Sequence, residues 1–223
     1  PNVGDGRPFA LACGFPNERA MRAGERLGVY QRGEDTLRWS RPARPWSQQP
    51  GPSRPWQRLL WRAREVHAQS ADDLRWVDPL FAAMRAALPD TLLLERGADY
   101  WDWRFRQHPQ VQYRFLQLRR LGRLVAGGVL RQREEEGVLE LVDAVFEDHR
   151  AFHGLVKAAE HRAWAAGLPR FLVWGTGRVV ADLPAGETVR EGSVAWPDRQ
   201  FNASLVPQVS GRFWAMGGDT DFR

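Results

Sequence analysis

Between Val111 and Trp174 the pattern of apolar and polar runs predicts strand, strand, strand, helix, strand. The runs VQYRFLQL (111–118), LVAGGVLR (124–131) and VLELVDAVF (138–146) are rich in Val, Leu, Phe and Tyr. Each is bounded by Pro, Gly or clustered charge, with tight links at LGR and EEEG. From about Arg150 to Ala166 the period changes. Phe152, Leu155, Val156, Ala159, Ala163 and Ala166 recur at helical spacing and make one apolar face. Asp148 is placed to cap this helix, Gly167 suits the position just past it, and Pro169 blocks its continuation. RFLVW then reads as a short buried strand. A strand, an amphipathic helix and another strand imply a right-handed crossover and a parallel pair. The predicted fold class is α/β with a mixed sheet: an antiparallel meander that turns parallel at its last step.

Upstream, PNERAMRAGERLGVY reads as a helix followed by a strand, with Asn17 placed to cap the helix. Residues 38–64 hold seven Arg, five Pro and four Trp and no acidic residue. Five prolines forbid a continuous helix or central strand, so Arg41–Pro55 is read as a linker without regular structure. Trp56, Leu59, Leu60, Ala63 and Val66 then share a helical face, with Arg58, Arg62 and Arg64 largely away from it. Two fates suit such a basic amphipathic helix: packing on the neighbouring module, or lying on an acidic membrane surface.

Asp78 and Pro79 are expected to open a further helix, Asp as the cap and Pro in the first turn. Leu80, Phe81, Met84, Ala87 and Leu88 make its buried face and Pro89 stops it. In DYWDWRFRQHP, Asp99 is placed to cap one or two turns carrying Tyr100, Trp101, Trp103, Arg104 and Phe105. So many large side chains in one short run have two readings. They wall a pocket in which flat rings stack on a sugar or base, or they plug one end of the sheet. Tyr100, Trp101, Trp103 and Arg104 are on the first reading the candidate substrate-binding residues. The end of the chain, RFWAMGGDTDFR, reads as a last strand and a Gly-Gly turn, and another strand is expected at Gly192–Trp196.

Composition narrows the class. Hydrophobic residues are 43% and charged residues 26% of the 223, as in an ordinary globular chain. No run approaches the ~18 apolar residues of a membrane span, so no transmembrane segment is expected. Cys13 is the only cysteine. An intrachain disulfide is therefore excluded, and a reducing, cytoplasmic setting is expected. Lys157 is the only lysine among 32 basic residues. A skew to Arg suits polyanions, but it also follows from codon composition, and no nucleic-acid partner is expected. The start, PNVGDGRPF, has neither an initiator Met nor a secretory pattern and reads as a cut end.

The order of the 111–174 stretch resembles the core of the GNAT acyltransferase superfamily. The resemblance is sharpest at Asn17-x-x-Ala20, followed by Gly28 and Val29 at the spacing at which GNAT proteins open their next strand. It implies a helix lying beside the pantetheine arm of acetyl-CoA, with Asn17 as a cofactor-binding candidate. In that helix the family often has a Tyr as general acid; the matching position here is Gly24, and Tyr30 is in a different register. The run from Tyr100 to His108-Pro109 is similar to the second copy of two-module GNAT-like proteins, which are often associated with polysaccharide or cell-envelope biosynthesis. The resemblance thus implies a partial first module in 1–40, a linker and helix in 41–71, and a complete but degenerate second module in 72–223.

It further implies N-acyl transfer. A bound amine, on a small-molecule or glycan acceptor, attacks the thioester carbonyl of acetyl-CoA. A backbone N–H in a splayed strand stabilises the oxyanion, and an acid protonates the thiolate. The family's phosphate loop, Gln/Arg-x-x-Gly-x-Gly/Ala, falls here on Glu147-Asp148-His149-Arg150-Ala151-Phe152. That junction lacks the glycines and sets two carboxylates where phosphate should lie. The second module is therefore expected not to bind CoA, its catalytic residues are not assigned, and the alternative function is a non-catalytic GNAT-like binding module for a glycan or protein partner.

Remaining chemistry is sparse. His149 and His153 share a helix face, with Glu147 or Glu160 as a third candidate ligand, but no His-Glu-x-x-His motif exists and no metal is expected. Cys13 has no evident partner base. Asp219 and Asp221 form an Asp-x-Asp pair of the kind that holds a divalent ion on a sugar nucleotide, or are simply exposed terminal acids.

Overall fold

The structure, a computed structural model, describes residues 13–49, 61–197 and 211–220. Helix α1 (Glu18–Arg26) starts where expected: Asn17 is extended and its side chain accepts a hydrogen bond from the Ala20 amide. Gly28, at φ +66°, lets the chain reverse into strand β1 (Tyr30–Pro42). Tyr30 lies directly on Gly24, where a Cβ would fall 2.1 Å from its ring. Gly24 is thus required by packing at the position where the family's tyrosine would stand.

Two expectations for the Pro/Arg/Trp-rich stretch are corrected. Arg41 and Pro42 belong to β1, and Trp46–Gln48 form a 3-10 turn, so the irregular part is shorter than Arg41–Pro55; residues 50–55 lie outside the described residues. The expected amphipathic helix is a strand where it is described: β2 (Trp61–Val66). Trp61, Ala63 and Glu65 are half-buried while Arg62 and Arg64 are exposed. That alternation has period two, and over six residues it also fits a helical stripe. Antiparallel pairing with Phe115–Arg120 decides for the strand. Trp56, Leu59 and Leu60 lie outside the described residues.

Helix α2 (Val77–Ala87) buries Leu80, Phe81 and Met84. Asp78 is not its cap. The position before the helix is Trp76, and Asp78 Oδ1 instead accepts from the Ala98 amide at 2.7 Å, capping the next helix, α3 (Ala98–Trp101). Asp99, expected as that cap, sits inside the first turn and pairs with Arg75 at 3.2 Å. Between these helices lies strand β3 (Leu92–Leu93), and α3 runs on into a π-helical turn, Asp102–Arg106.

The meander follows as expected: β4 (Tyr113–Arg120), β5 (Arg123–Arg133) and β6 (Val138–Phe146). Leu121 and Gly122, both at positive φ, make the two-residue turn that matches strand twist. Helix α4 (His149–Ala165) crosses to β7 (Arg170–Thr176), followed by a short α5 (Gly177–Ala181) and β8 (Glu187–Pro197). A two-residue strand, β9 (Phe213–Trp214), pairs in parallel with β3.

The main sheet has the order β2-β4-β5-β6-β7-β1-β8, with β6/β7 its only parallel pair among the described residues. β1, from the segment read as a first module, is hydrogen-bonded between β7 and β8. Residues from 1–40, 41–71 and 72–223 therefore share one sheet. α2 and α4 cover opposite faces. On β5, a Cβ at Gly127 would meet Trp76 at 2.1 Å and one at Gly128 would meet Leu141 and Leu155 at 2.8 and 3.2 Å. Consecutive glycines thus let both layers approach the same strand.

Candidate functional site

β6 and β7 pair only from Val138 to Leu141 against Arg170 to Val173, and then diverge. The opening between them corresponds to the splayed strand from which the GNAT resemblance implies a backbone N–H for the oxyanion. Here the chain itself fills it. The Thr176 amide donates to the Ala215 carbonyl at 3.0 Å, and Gly175 bridges Met216. Trp214 is fully buried, its ring 5.8 Å from Phe146 at the end of β6 and 6.0 Å from Phe152 in the first turn of α4. Gly217 and Gly218 lie against Glu140, Val142 and Asp143 of β6.

A buried ionic cluster holds this segment. Arg96, fully buried, donates from Nε to Asp143 Oδ1 at 2.8 Å and from Nη2 to Asp219, and its guanidinium lies over the Trp214 ring. Trp101 Nε1 donates to the other Asp143 oxygen at 3.0 Å. Tyr100 donates its hydroxyl to the Gly218 carbonyl at 3.1 Å, and Arg104 donates to the carbonyls of Gly218 and Thr220. Burial, reinforced by Asp143 and opposed by Arg96, pushes the Asp219 carboxyl up to about 6. Burial alone would lower Arg96; the charges of Asp143 and Asp219 outweigh it and hold the guanidinium above its ordinary range. Tyr100 is raised by burial and then by the same two carboxylates, so its phenol is a hydrogen-bond donor and not a base.

This arrangement corrects the pocket reading of the aromatic run. Tyr100 and Arg104 bind the chain's own 218–220 stretch, Trp101 is in the core, and only Trp103, 63% exposed, faces solvent. The run plugs the sheet. Asp219 is likewise neither an exposed terminal acid nor placed to hold a divalent ion, because Arg96 takes its carboxylate; Asp221 lies outside the described residues. Sequence reasoning missed Arg96 and Asp143. The available signal was an acid inside VLELVDAVF, a run read as a buried strand, since a buried carboxylate requires a partner.

The mouth of the gap is closed as well. Asp148 caps α4 by accepting from the Ala151 amide at 2.6 Å. Glu147 does not stand as a free repelling charge, as the sequence implied. It accepts from Arg120 at 2.9 Å and Arg123 at 2.8 Å, and that pairing offsets its charge. His149 Nδ1 lies 3.0 Å from Asp182, tying the start of α4 to the end of α5. The residues present do not fit a CoA pyrophosphate: the helix terminus is capped by an acid, and its arginines are taken by another. Asn17, the cofactor-binding candidate, caps α1, which packs on β1 and β8. Of the metal candidates, Glu160 is buried against Arg41 and Glu147 pairs with its arginines. Among the described residues no three His, Cys, Asp or Glu converge on a metal position. Burial raises the Cys13 thiol to about 11, which keeps it protonated and unreactive.

No family model matches the chain, and no curated protein is similar to it in sequence. Solved structures do match. A protein from Enterococcus faecalis V583, described as a probable N-acyltransferase, is 12% identical with a TM-score of 0.59, over 84% of this chain and 45% of that one. A GCN5-related N-acetyltransferase from Anabaena variabilis is 12% identical with a TM-score of 0.56, over 87% and 46%. One from Kribbella flavida is 12% identical with a TM-score of 0.55, over 85% and 43%. The fold is that of the GCN5-related N-acetyltransferases. The chain spans less than half the length of each of these three proteins. Among the described residues, no helix is long and apolar enough to cross a membrane.

Proposed function

We propose that this chain is the module of a two-module, cytoplasmic GNAT-type acyltransferase that does not carry the cofactor. The parent protein transfers an acetyl or related acyl group from CoA to an amine, on an amino sugar or another envelope precursor. The acyltransferase fold supports the reaction class. The filled gap between β6 and β7 carries the assignment of this module: Trp214, Met216 and Asp219 occupy the place of a thioester, and Arg96 secures them. The module contributes a folded body and a binding surface instead of a reaction centre.

Calorimetric titration of the chain with acetyl-CoA tests the assignment. No saturable heat is expected at micromolar concentrations. Micromolar binding would show that the gap opens and would overturn the reading. In the full-length protein, thiol release from acetyl-CoA should require an amine acceptor. It should survive Glu147→Gln and Asp148→Asn, which alter only this module's helix terminus. Loss of thiol release without loss of folding would place the chemistry here.

A further inference from the structure

A second concavity lies at the opposite end of the sheet. An open groove of about 510 Å³ runs between Val66–Ala68, at the end of β2, and Val111–Phe115, at the start of β4. In the sheet register Tyr113 stands beside Arg131, Arg131 beside Glu140, and Glu140 beside Leu172. That is the closed end of the β6/β7 pair, and the Phe105 ring stands between Tyr113 in the groove and Gly218 in the gap. A hollow of about 390 Å³ on the other flank shares Val111, Gln112 and Arg114 and adds Arg131. Both volumes are of the size that small ligands occupy.

The donors in the groove are held in place. His108 Nδ1 accepts from the amides of Gln110 and Val111, at 3.2 and 3.0 Å. That bonding leaves the proton of the neutral ring on Nε2, as a donor. The ring itself is fixed edge-on to Tyr113, centroids 5.6 Å apart. Arg106 donates from Nε and Nη2 to Asp102, which orients the fork and leaves Nη1 without a partner among the described residues. Arg114 donates from Nη2 to Gln132 at 3.1 Å. Asp102 is largely buried and engaged by Arg106 and Gln107. Glu65, an acid that lines the groove, forms looser ion pairs, 3.6 Å from Arg114 and 3.7 Å from Arg162, beyond a hydrogen bond to either.

We infer that this groove binds an oxyanion, the phosphate or carboxylate of a small ligand, between Arg106, His108 and Arg114. Two guanidinium groups match the planar, multidentate geometry of such a group. Their orientation is already set by Asp102 and Gln132, so binding immobilises little more. This assignment does not rest on the acyl-transfer reading.

NMR titration of the chain with inorganic phosphate, at ionic strength held constant with sodium chloride, tests it through the His108 ring resonances. A parallel titration with acetate separates phosphate from carboxylate preference. Saturable shifts with at least one of the two anions are expected. His108→Asn keeps an acceptor for the two amides but removes the Nε2 donor, and Arg114→Gln removes a guanidinium. Each variant should weaken binding about tenfold, the loss of one charge-assisted bond. Binding in these variants is followed through the Val111 and Gln112 amides. Arg62→Gln, an exposed arginine on β2 outside the groove, should leave binding unchanged. Non-saturating shifts with both anions, or equal binding in all three variants, would overturn the inference.

Discussion

Arg96 and Asp143, 47 residues apart, meet at 2.8 Å with neither side chain exposed to solvent. Asp143 comes from β6, the last strand of the meander, and Arg96 from the connection that precedes α3. Through Nη2 Arg96 reaches Asp219, so one guanidinium joins the sheet to the segment that fills the gap.

Removing one member of this pair should destabilise the fold strongly. Arg96→Met leaves two buried carboxylates, Asp143 and Asp219, without their guanidinium, and such losses are about 3–5 kcal/mol. Arg96→Met is therefore expected to lower the urea midpoint markedly. The triple variant Arg96→Met, Asp143→Leu, Asp219→Asn should recover part of that loss, because none of the three buried charges remains. A single and a triple variant of equal stability would show that the unpaired buried carboxylates are not the controlling effect.

Asp219 predicts a dependence of stability on pH with an unusual sign. Its folded pKa, about 6, lies above the ordinary value of 3.8. The folded state therefore holds a proton that the unfolded chain has lost. This contribution is fully present below about pH 4 and is lost as pH rises through about 6. Glu18, Glu25, Asp73 and Asp102 are shifted the other way by their hydrogen bonds, and their contributions are lost as pH falls below the ordinary carboxylate range. Arg96, Asp143, Tyr100 and Cys13 face Asp219, and of these only Asp143 is a second carboxylic acid. Urea midpoints measured from pH 4 to 7 should fall as pH rises, and Asp219→Asn should flatten that slope. An unchanged slope in the variant would assign the effect elsewhere.

Asp148 makes a local contribution that can be separated from the ionic cluster. It satisfies the Ala151 amide at the start of α4. Asp148→Ala should lose about 1 kcal/mol, and Asp148→Ser should restore most of it. Thermal denaturation of the three proteins measures both. A serine variant no better than alanine would mean that charge, through the helix dipole, and not the cap hydrogen bond, carries the effect.

The sequence by itself determined the elements whose signals are local. The three runs of the meander, the helix capped by Asp148 and ended at Gly167, and the parallel step to Phe171–Trp174 follow from periodicity, capping chemistry and crossover handedness. The Asn17 cap and the turn at Gly28 were legible for the same reason. Only the tertiary structure decided which distant pieces pair. Trp61–Val66 carries a pattern that suits helix or strand, and the edge of β4 selects the strand. β1 enters between β7 and β8, against partners more than a hundred residues later. Asp219 finds Arg96 across 123 residues, and that pairing joins the 214–220 stretch to the aromatic run as a plug. Local pattern states how much surface an element must bury, and a buried charge states that it needs a counterion. Neither states where along the chain the partner lies, because that choice is made by the long-range packing of the whole sheet.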